Sequence, residues 1–155
     1  MTGARPRASQ RALPRAVRRV AAGLAVVAGG LASFACGGGP PIPDEDLALR
    51  VTAGATDMGL GEPFPLTVVR VWRKDLVPAA WDERALAPLA VRLTASARRE
   101  DDHHVEETRT YRAYAFTRDD VVVTPTPMVA RALDGGPERR ATAAPIALRV
   151  RPALD

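Results

Sequence analysis

The sequence predicts an all-β fold, in which residues 47–155 form a single immunoglobulin-like β-sandwich of about seven strands. Three observations support this prediction. Apolar and polar residues alternate in short segments, as they do in half-buried strands. Turn-forming Gly, Pro and Asp residues separate these segments at regular spacing, and no convincing helical pattern or internal repeat is present. These features are typical of an immunoglobulin-like sandwich, although the Cys–Trp–Cys spacing of antibody domains is absent.

Seven segments carry the strand pattern. In chain order they are residues 47–52, 66–72, 89–97, 105–116, 121–123, 128–133 and 146–150. Between residues 74 and 88 the pattern is irregular, and Asp82 is expected to cap a single helical turn there. The charged residues 98–104 are expected to form a hairpin tip. Pro125 and Pro127 are expected to confine their segment to a sheet edge or a bulge, because proline cannot donate a ladder hydrogen bond.

The net positive charge of the chain comes from its first 35 residues. The protein has 22 basic and 18 acidic residues and a net charge of +4. Residues 1–35 hold six of the arginines and no acidic residue, so sixteen basic and eighteen acidic residues are left for the rest of the chain. A nucleic-acid-binding domain needs a basic surface to neutralise phosphates. The sequence therefore predicts no nucleic-acid partner.

Residues 1–35 are predicted to be a signal peptide of the lipoprotein type. Their arginine-rich start is followed by an apolar run over residues 20–35. This run is short for a membrane-spanning helix, which needs roughly 20 residues, but it suits the apolar core of a signal peptide. Cys36 follows directly and precedes a Gly/Pro segment, an arrangement that resembles a lipobox, although Ser33 and Phe34 depart from its usual residues.

Cys36 is therefore predicted to carry a lipid that anchors the protein to a membrane. The alternatives are an ordinary cleaved signal peptide and an uncleaved anchor. Since Cys36 is the only cysteine, the domain is expected to fold without an internal disulfide. Residues 36–46 have no apolar period and contain prolines, which predicts a flexible tether. The predicted location is the cell envelope, on the periplasmic or extracytoplasmic side of the membrane.

No catalytic constellation is visible in the sequence after Cys36. Ser96 is the only serine there, and no nucleophile-elbow glycines surround it. His103 and His104 are adjacent, so in an extended chain they point to opposite faces and cannot readily chelate one ion. We therefore expect no enzymatic activity, no metal and no cofactor, and no small-molecule substrate is evident.

The aromatic residues offer the main candidate binding positions, and they are Trp72, Trp81, Tyr111, Tyr114 and Phe116. In a small sandwich such residues usually belong to the core, and a carbohydrate-binding platform is the alternative. Trp81 differs from the others because it lies in the irregular segment. We expect Trp81 and Arg84 to contact a partner protein, since Trp and Arg are enriched among the energetic anchors of interfaces. Inward packing of Trp81 is the competing interpretation.

Four segments, in this order along the chain, resemble the first immunoglobulin-like domain of the BatD oxygen-tolerance family, and they are residues 61–68, 81–93, 111–127 and 144–150. The resemblance implies a domain without catalytic residues and an accessory role in the envelope. The family is associated with von Willebrand A-domain proteins and a MoxR-type ATPase. Its members are typically longer than this chain, with several such domains and a membrane-spanning segment.

The function that the sequence favours is that of a non-enzymatic, lipid-anchored envelope protein that binds another envelope protein. A ligand-binding lipoprotein for a sugar or a metal is the first alternative. A small envelope hydrolase is the second, and the absence of a convincing nucleophile and base argues against it.

Overall fold

A computed structural model describes residues 39–152, and in this range the protein is all-β, which confirms the predicted fold class. The range contains ten strands and one short 3₁₀ helix, Glu83–Leu86. The strands are β1 (Leu47–Ala53), β2 (Asp57–Gly59), β3 (Phe64–Arg73), β4 (Leu76–Pro78), β5 (Ala90–Glu100), β6 (His104–Tyr114), β7 (Val121–Val123), β8 (Met128–Ala132), β9 (Arg139–Ala141) and β10 (Ile146–Arg151).

The strands are arranged as two layers. One is a four-stranded antiparallel sheet with the order β1-β3-β6-β5. The other consists of two three-stranded parts, β2-β10-β7 and β4-β8-β9. When β7 and β8 count as one interrupted strand, and β9 and β10 as another, the layers have the A-B-E-D and C-F-G orders of an immunoglobulin-type sandwich. The additional strand β2 pairs in parallel with β10.

Prolines explain why the second layer is divided. Val123 pairs with Ile146 and Met128 pairs with Ala141, so the two ladders are separated by the four residues 124–127 on one side and the four residues 142–145 on the other. Both ladders therefore belong to one hairpin in a single register. Three of the eight intervening residues are prolines, which have no N–H to continue the ladder.

The core lies between the two layers. Alternate side chains of β3 point inward, and Leu66 and Val68 are fully buried against residues of the second layer such as Val123 and Leu148. Tyr111 on β6 is the largest fully buried side chain. Burial of apolar side chains is the dominant favourable contribution to the free energy of folding. The described residues contain no disulfide that could add to it.

The sequence prediction differs from the structure in two respects. The short strands β2, β4 and β9 were not predicted, because they lack the run of β-branched residues that marks the equally short β7 and because their pairing depends on partner strands. The predicted hairpin tip over residues 98–104 is wrong at both ends, since the tip contains only residues 101–103. The charged residues before it belong to β5, where cross-strand pairing with acidic residues of β6 keeps the ladder intact. The predicted helical turn is confirmed, with Asp82 accepting a hydrogen bond from the backbone N–H of Arg84 at 2.9 Å.

The described part of the tether contacts the domain. Residues 39–46 have no regular secondary structure. Even so, the carbonyl of Pro40 accepts a 2.7 Å hydrogen bond from Arg99 of β5, and Asp46 forms ion pairs with Arg73 at 3.1 Å and with Arg139 at 2.6 Å. The predicted signal peptide and Cys36 lie outside the described residues. Within residues 39–152 no helix has the length and apolarity needed to cross a membrane.

A cationic groove on the inner face of the first sheet

Part of the inner face of the first sheet is left uncovered by the second layer. The register aligns Arg70 of β3, Glu107 of β6 and Arg98 of β5 in one row across three strands. Their side chains share a face with the core residues of β3 and β6, but almost all of β5 is exposed. The opening between this face and β4 is a groove with a volume of about 630 Å³, which we call the cationic groove.

Arg70 forms the base of the cationic groove and is 4% exposed. Its guanidinium carbon lies 5.5 Å from the ring centroid of Trp72 and 5.9 Å from that of Trp81, so the cation lies within cation–π distance of two indole rings. One terminal nitrogen donates to the carbonyl of Ala79 at 2.6 Å, and the other lies 3.5 Å from Glu107. The Nε atom is buried and has no hydrogen-bond partner among the described residues.

Burial lowers the pKa of Arg70 below its ordinary value, and the neighbouring Glu107 carboxylate partly opposes this effect. An arginine side chain nevertheless remains charged in proteins. Arg70 is therefore a buried cation whose desolvation is offset by stacking, by one carbonyl and by one carboxylate.

The groove carries more positive than negative charge. Its basic side chains are Arg70, Lys74, Arg98 and Arg109, and its acidic side chains are Glu100 and Glu107. Both acids are already engaged by two cations each. Glu107 is 2.6 Å from Arg109 as well as 3.5 Å from Arg70, and Glu100 is 2.8 Å from Arg98 and 3.7 Å from Lys74. An incoming anion therefore meets an excess of two positive charges.

Trp81, one of the two predicted partner-binding residues, separates the cationic groove from a second cavity. Its indole N–H donates a 2.9 Å hydrogen bond to the Tyr111 hydroxyl, and its ring is half-buried against the core. The second cavity has a volume of about 350 Å³, and Arg84 lines it together with Trp81. The structure thus brings both predicted residues to one cavity, and the buried Tyr111 fixes the Trp81 ring through its hydroxyl.

Arg84 is largely exposed, with 91% of its side-chain surface accessible, and it forms an ion pair with Asp82 at 2.6 Å. Hydrogen bonds from the Arg84 side chain, and then from its backbone N–H, lower the pKa of Asp82. Sequence reasoning selected Arg84 but missed Arg70, Arg98 and Glu107. A signal was present, since Arg70 and Glu107 have the inward parity of their strands, where a two-layered sandwich normally has apolar residues.

The two histidines do not form a common site. Their rings are 6.4 Å apart and nearly perpendicular, and only His104 is buried. His104 faces Asp44 of the tether at 3.5 Å and Asp101 at 3.7 Å. Backbone N–H groups of His104 and His103 donate to Asp101, which lowers the pKa of this carboxyl. Within residues 39–152 no three potential metal ligands cluster, and Ser96 lies on the exposed strand β5 opposite Arg109.

A separate aromatic feature lies near the other end of β6. The rings of Tyr114 and Phe116 are stacked, with centroids 5.9 Å apart and planes inclined by 8°. Phe116 is 69% exposed. Of the five aromatic residues, Trp72 and Tyr111 are buried as predicted for core residues, whereas Phe116 is not.

Two comparisons of this chain, with protein families and with curated proteins, find no match. The role of the cationic groove must therefore be inferred from its own residues and geometry.

Proposed function

We propose that this protein is a non-enzymatic, lipid-anchored envelope protein whose BatD-like immunoglobulin-type domain binds another envelope protein. The observation that carries this proposal is the open cationic groove beside the exposed strand β5. The groove combines tryptophan and arginine, the residues most enriched at the energetic centres of protein interfaces. It is open along β5, whereas sites for small molecules enclose most of their ligand.

The anchoring part of the proposal rests on Cys36, which follows the apolar run of the leader. We expect the wild-type protein to partition with membranes and into detergent. Cys36→Ala should release the protein from membranes or leave the longer precursor unprocessed, because the thiol that receives the lipid is absent. Cell fractionation, detergent partitioning and the intact mass of the purified protein measure this, with Gly37→Ala as the matched control.

Cells that produce the wild-type protein also test the binding part of the proposal. Affinity purification of the wild-type protein from its own membranes should recover a reproducible envelope protein that excess soluble domain displaces. The lipid anchor would be refuted if Cys36→Ala differed in mass from the wild type only by the substituted side chain and partitioned into detergent as the wild type does. Failure to recover any displaceable protein would refute the binding role.

A sugar-binding lipoprotein is the second candidate, and the stacked Tyr114–Phe116 pair favours it, because exposed aromatic faces are the usual platforms for sugar rings. In this case Phe116→Ala should abolish retention of the protein on immobilised cellulose or chitin. Leu133→Ala is the matched control, since Leu133 is equally exposed at 69% and apolar. Equal retention of the two variants, or no retention of the wild type, would exclude these sugars as ligands of the pair.

A further inference from the structure

Strand β5 leaves a free backbone edge in the described part of the chain. It is the last strand of the first sheet and pairs only with β6. A β-bulge divides it, since the register shifts between Leu93 and Ala95 and the hydroxyl of the extra residue Thr94 donates to the carbonyl of Thr110 at 2.9 Å. Beyond the bulge, residues 95–100 continue in regular register. Such an unpaired edge presents a row of N–H and C=O groups that another strand can join.

The side chains of this edge suit the approach of a second strand. Ala95 and Ala97 share the outer face with Arg99, which contacts the tether, and the two small alanine side chains leave room for a neighbour. Arg98 is on the inner face, opposite Glu107. Because side chains alternate along a strand, every second residue of an added strand would lie over the cationic groove.

The groove offers cationic donors to those residues. Arg98 lies over the Trp72 ring at 5.6 Å and donates to Glu100 through Nε and one terminal nitrogen, which leaves its other terminal nitrogen without a hydrogen bond among the described residues. Arg109 donates to Glu107 only through Nε. A guanidinium presents five N–H donors in a planar fork that matches a carboxylate, so both arginines retain capacity for one.

We propose that residues 95–100 of β5 are a docking edge for an extended acidic segment of the partner protein, with carboxylates of that segment bound by Arg98 and Arg109 in the cationic groove. The inference rests on the proposed protein-binding function and specifies the chemistry of the partner. Charge complementarity argues for an acidic segment, since the groove has two more cations than carboxylates. The free edge argues for an extended one.

A synthetic peptide of alternating Glu and Val tests the proposal, because as a strand it places all its carboxylates on one face. The chain has two tryptophans, and both line the cationic groove, so intrinsic fluorescence reports on this site. We expect a saturable change on titration with the Glu–Val peptide that weakens with added salt. An alternating Lys–Val peptide should produce none.

Two charge-reversed variants of the same strand locate the contact. Arg98→Glu should weaken binding of the Glu–Val peptide by at least about tenfold, since it removes a cation and adds a repelling charge. Arg92→Glu is the matched control, because Arg92 is on the outer face of β5 opposite Arg112. This variant should bind the peptide as the wild type does. Bound peptide should also slow amide hydrogen exchange in residues 95–100.

The proposal is overturned by the absence of a saturable response in the wild type, by equal binding of the Lys–Val peptide, or by undiminished binding to Arg98→Glu. Displaceable recovery of a membrane partner by Arg98→Glu as well as by the wild type would leave the proposed function standing and reject this edge as its site. Recovery of no partner by the wild type would reject the proposed function itself, independently of the peptide result.

Discussion

Glu107→Ala is expected to lower the free energy of unfolding by about 3 kcal/mol, because it leaves the buried Arg70 cation without its counter-ion. The Arg70 side chain is 5% exposed and that of Glu107 is 15% exposed. Arg109, which donates to the same carboxylate at 2.6 Å, also loses its partner. Chemical denaturation monitored by circular dichroism measures the change.

Glu106→Ala is the matched control for this experiment. Glu106 is the preceding residue and has a similar side-chain exposure of 12%, but its partner Arg99 is 38% exposed. Loss of this more solvated pair should cost only about 1 kcal/mol or less. The double variant Arg70→Met, Glu107→Leu should recover most of the stability, since it removes both charges together. Equal losses for Glu107→Ala and Glu106→Ala would show that Arg70 does not depend on its carboxylate.

Trp81→Ala is expected to lower the free energy of unfolding by about 2 kcal/mol, and the melting temperature by roughly 10 °C. This loss is smaller than that for a fully buried tryptophan because the ring is only half-buried against the core. The substitution also removes the indole N–H that donates to the Tyr111 hydroxyl at 2.9 Å. A thermal scan of the purified domain provides the measurement.

Trp81→Phe separates packing from hydrogen bonding. It keeps an aromatic ring and loses the donor, so it should cost about 1 kcal/mol, and Tyr111→Phe should cost a similar amount because it removes the other partner. An unchanged melting temperature for Trp81→Ala would show that the ring does not support the core. If Trp81→Ala destabilises the domain as expected, the lost stability alone could weaken its binding of a partner. Weaker binding by this variant would then not show that Trp81 contacts the partner directly.

The fold was predictable where alternation is long. Strands β1, β3, β6 and β10 each show several periods in the sequence, because one of their faces is buried and the other is wet. Strands β2, β4 and β9, each three residues long, show none, and they exist because a partner strand supplies their hydrogen bonds. The parallel pairing of β2 with β10 is an example, since no local residue encodes it.

The cationic groove was not predictable from the same pattern. Arg70, Glu107 and Arg109 have the inward parity of core residues, which conflicts with the expectation that the second layer covers the whole inner face. The second layer stops covering the inner face beside β4, which is only three residues long, and the sequence does not show this short length. The sequence predicted a partner contact for Trp81 from its place in the irregular segment, but it could not show the attachment to Tyr111, which joins residues 30 positions apart.

The hairpin interrupted by prolines limits how this domain can change in length. The two gaps, residues 124–127 and 142–145, have equal lengths, and the ladders on both sides share one register. Loss or gain of one residue in a single gap would shift β7 by one position against β10 while β8 and β9 stay paired. That shift would expose the buried Val121 and Val123 and bury the exposed Val122. A single-residue insertion or deletion in one gap is therefore compatible with this sandwich only when a matching change occurs in the other gap or a bulge absorbs it, as the bulge at Thr94 does in β5.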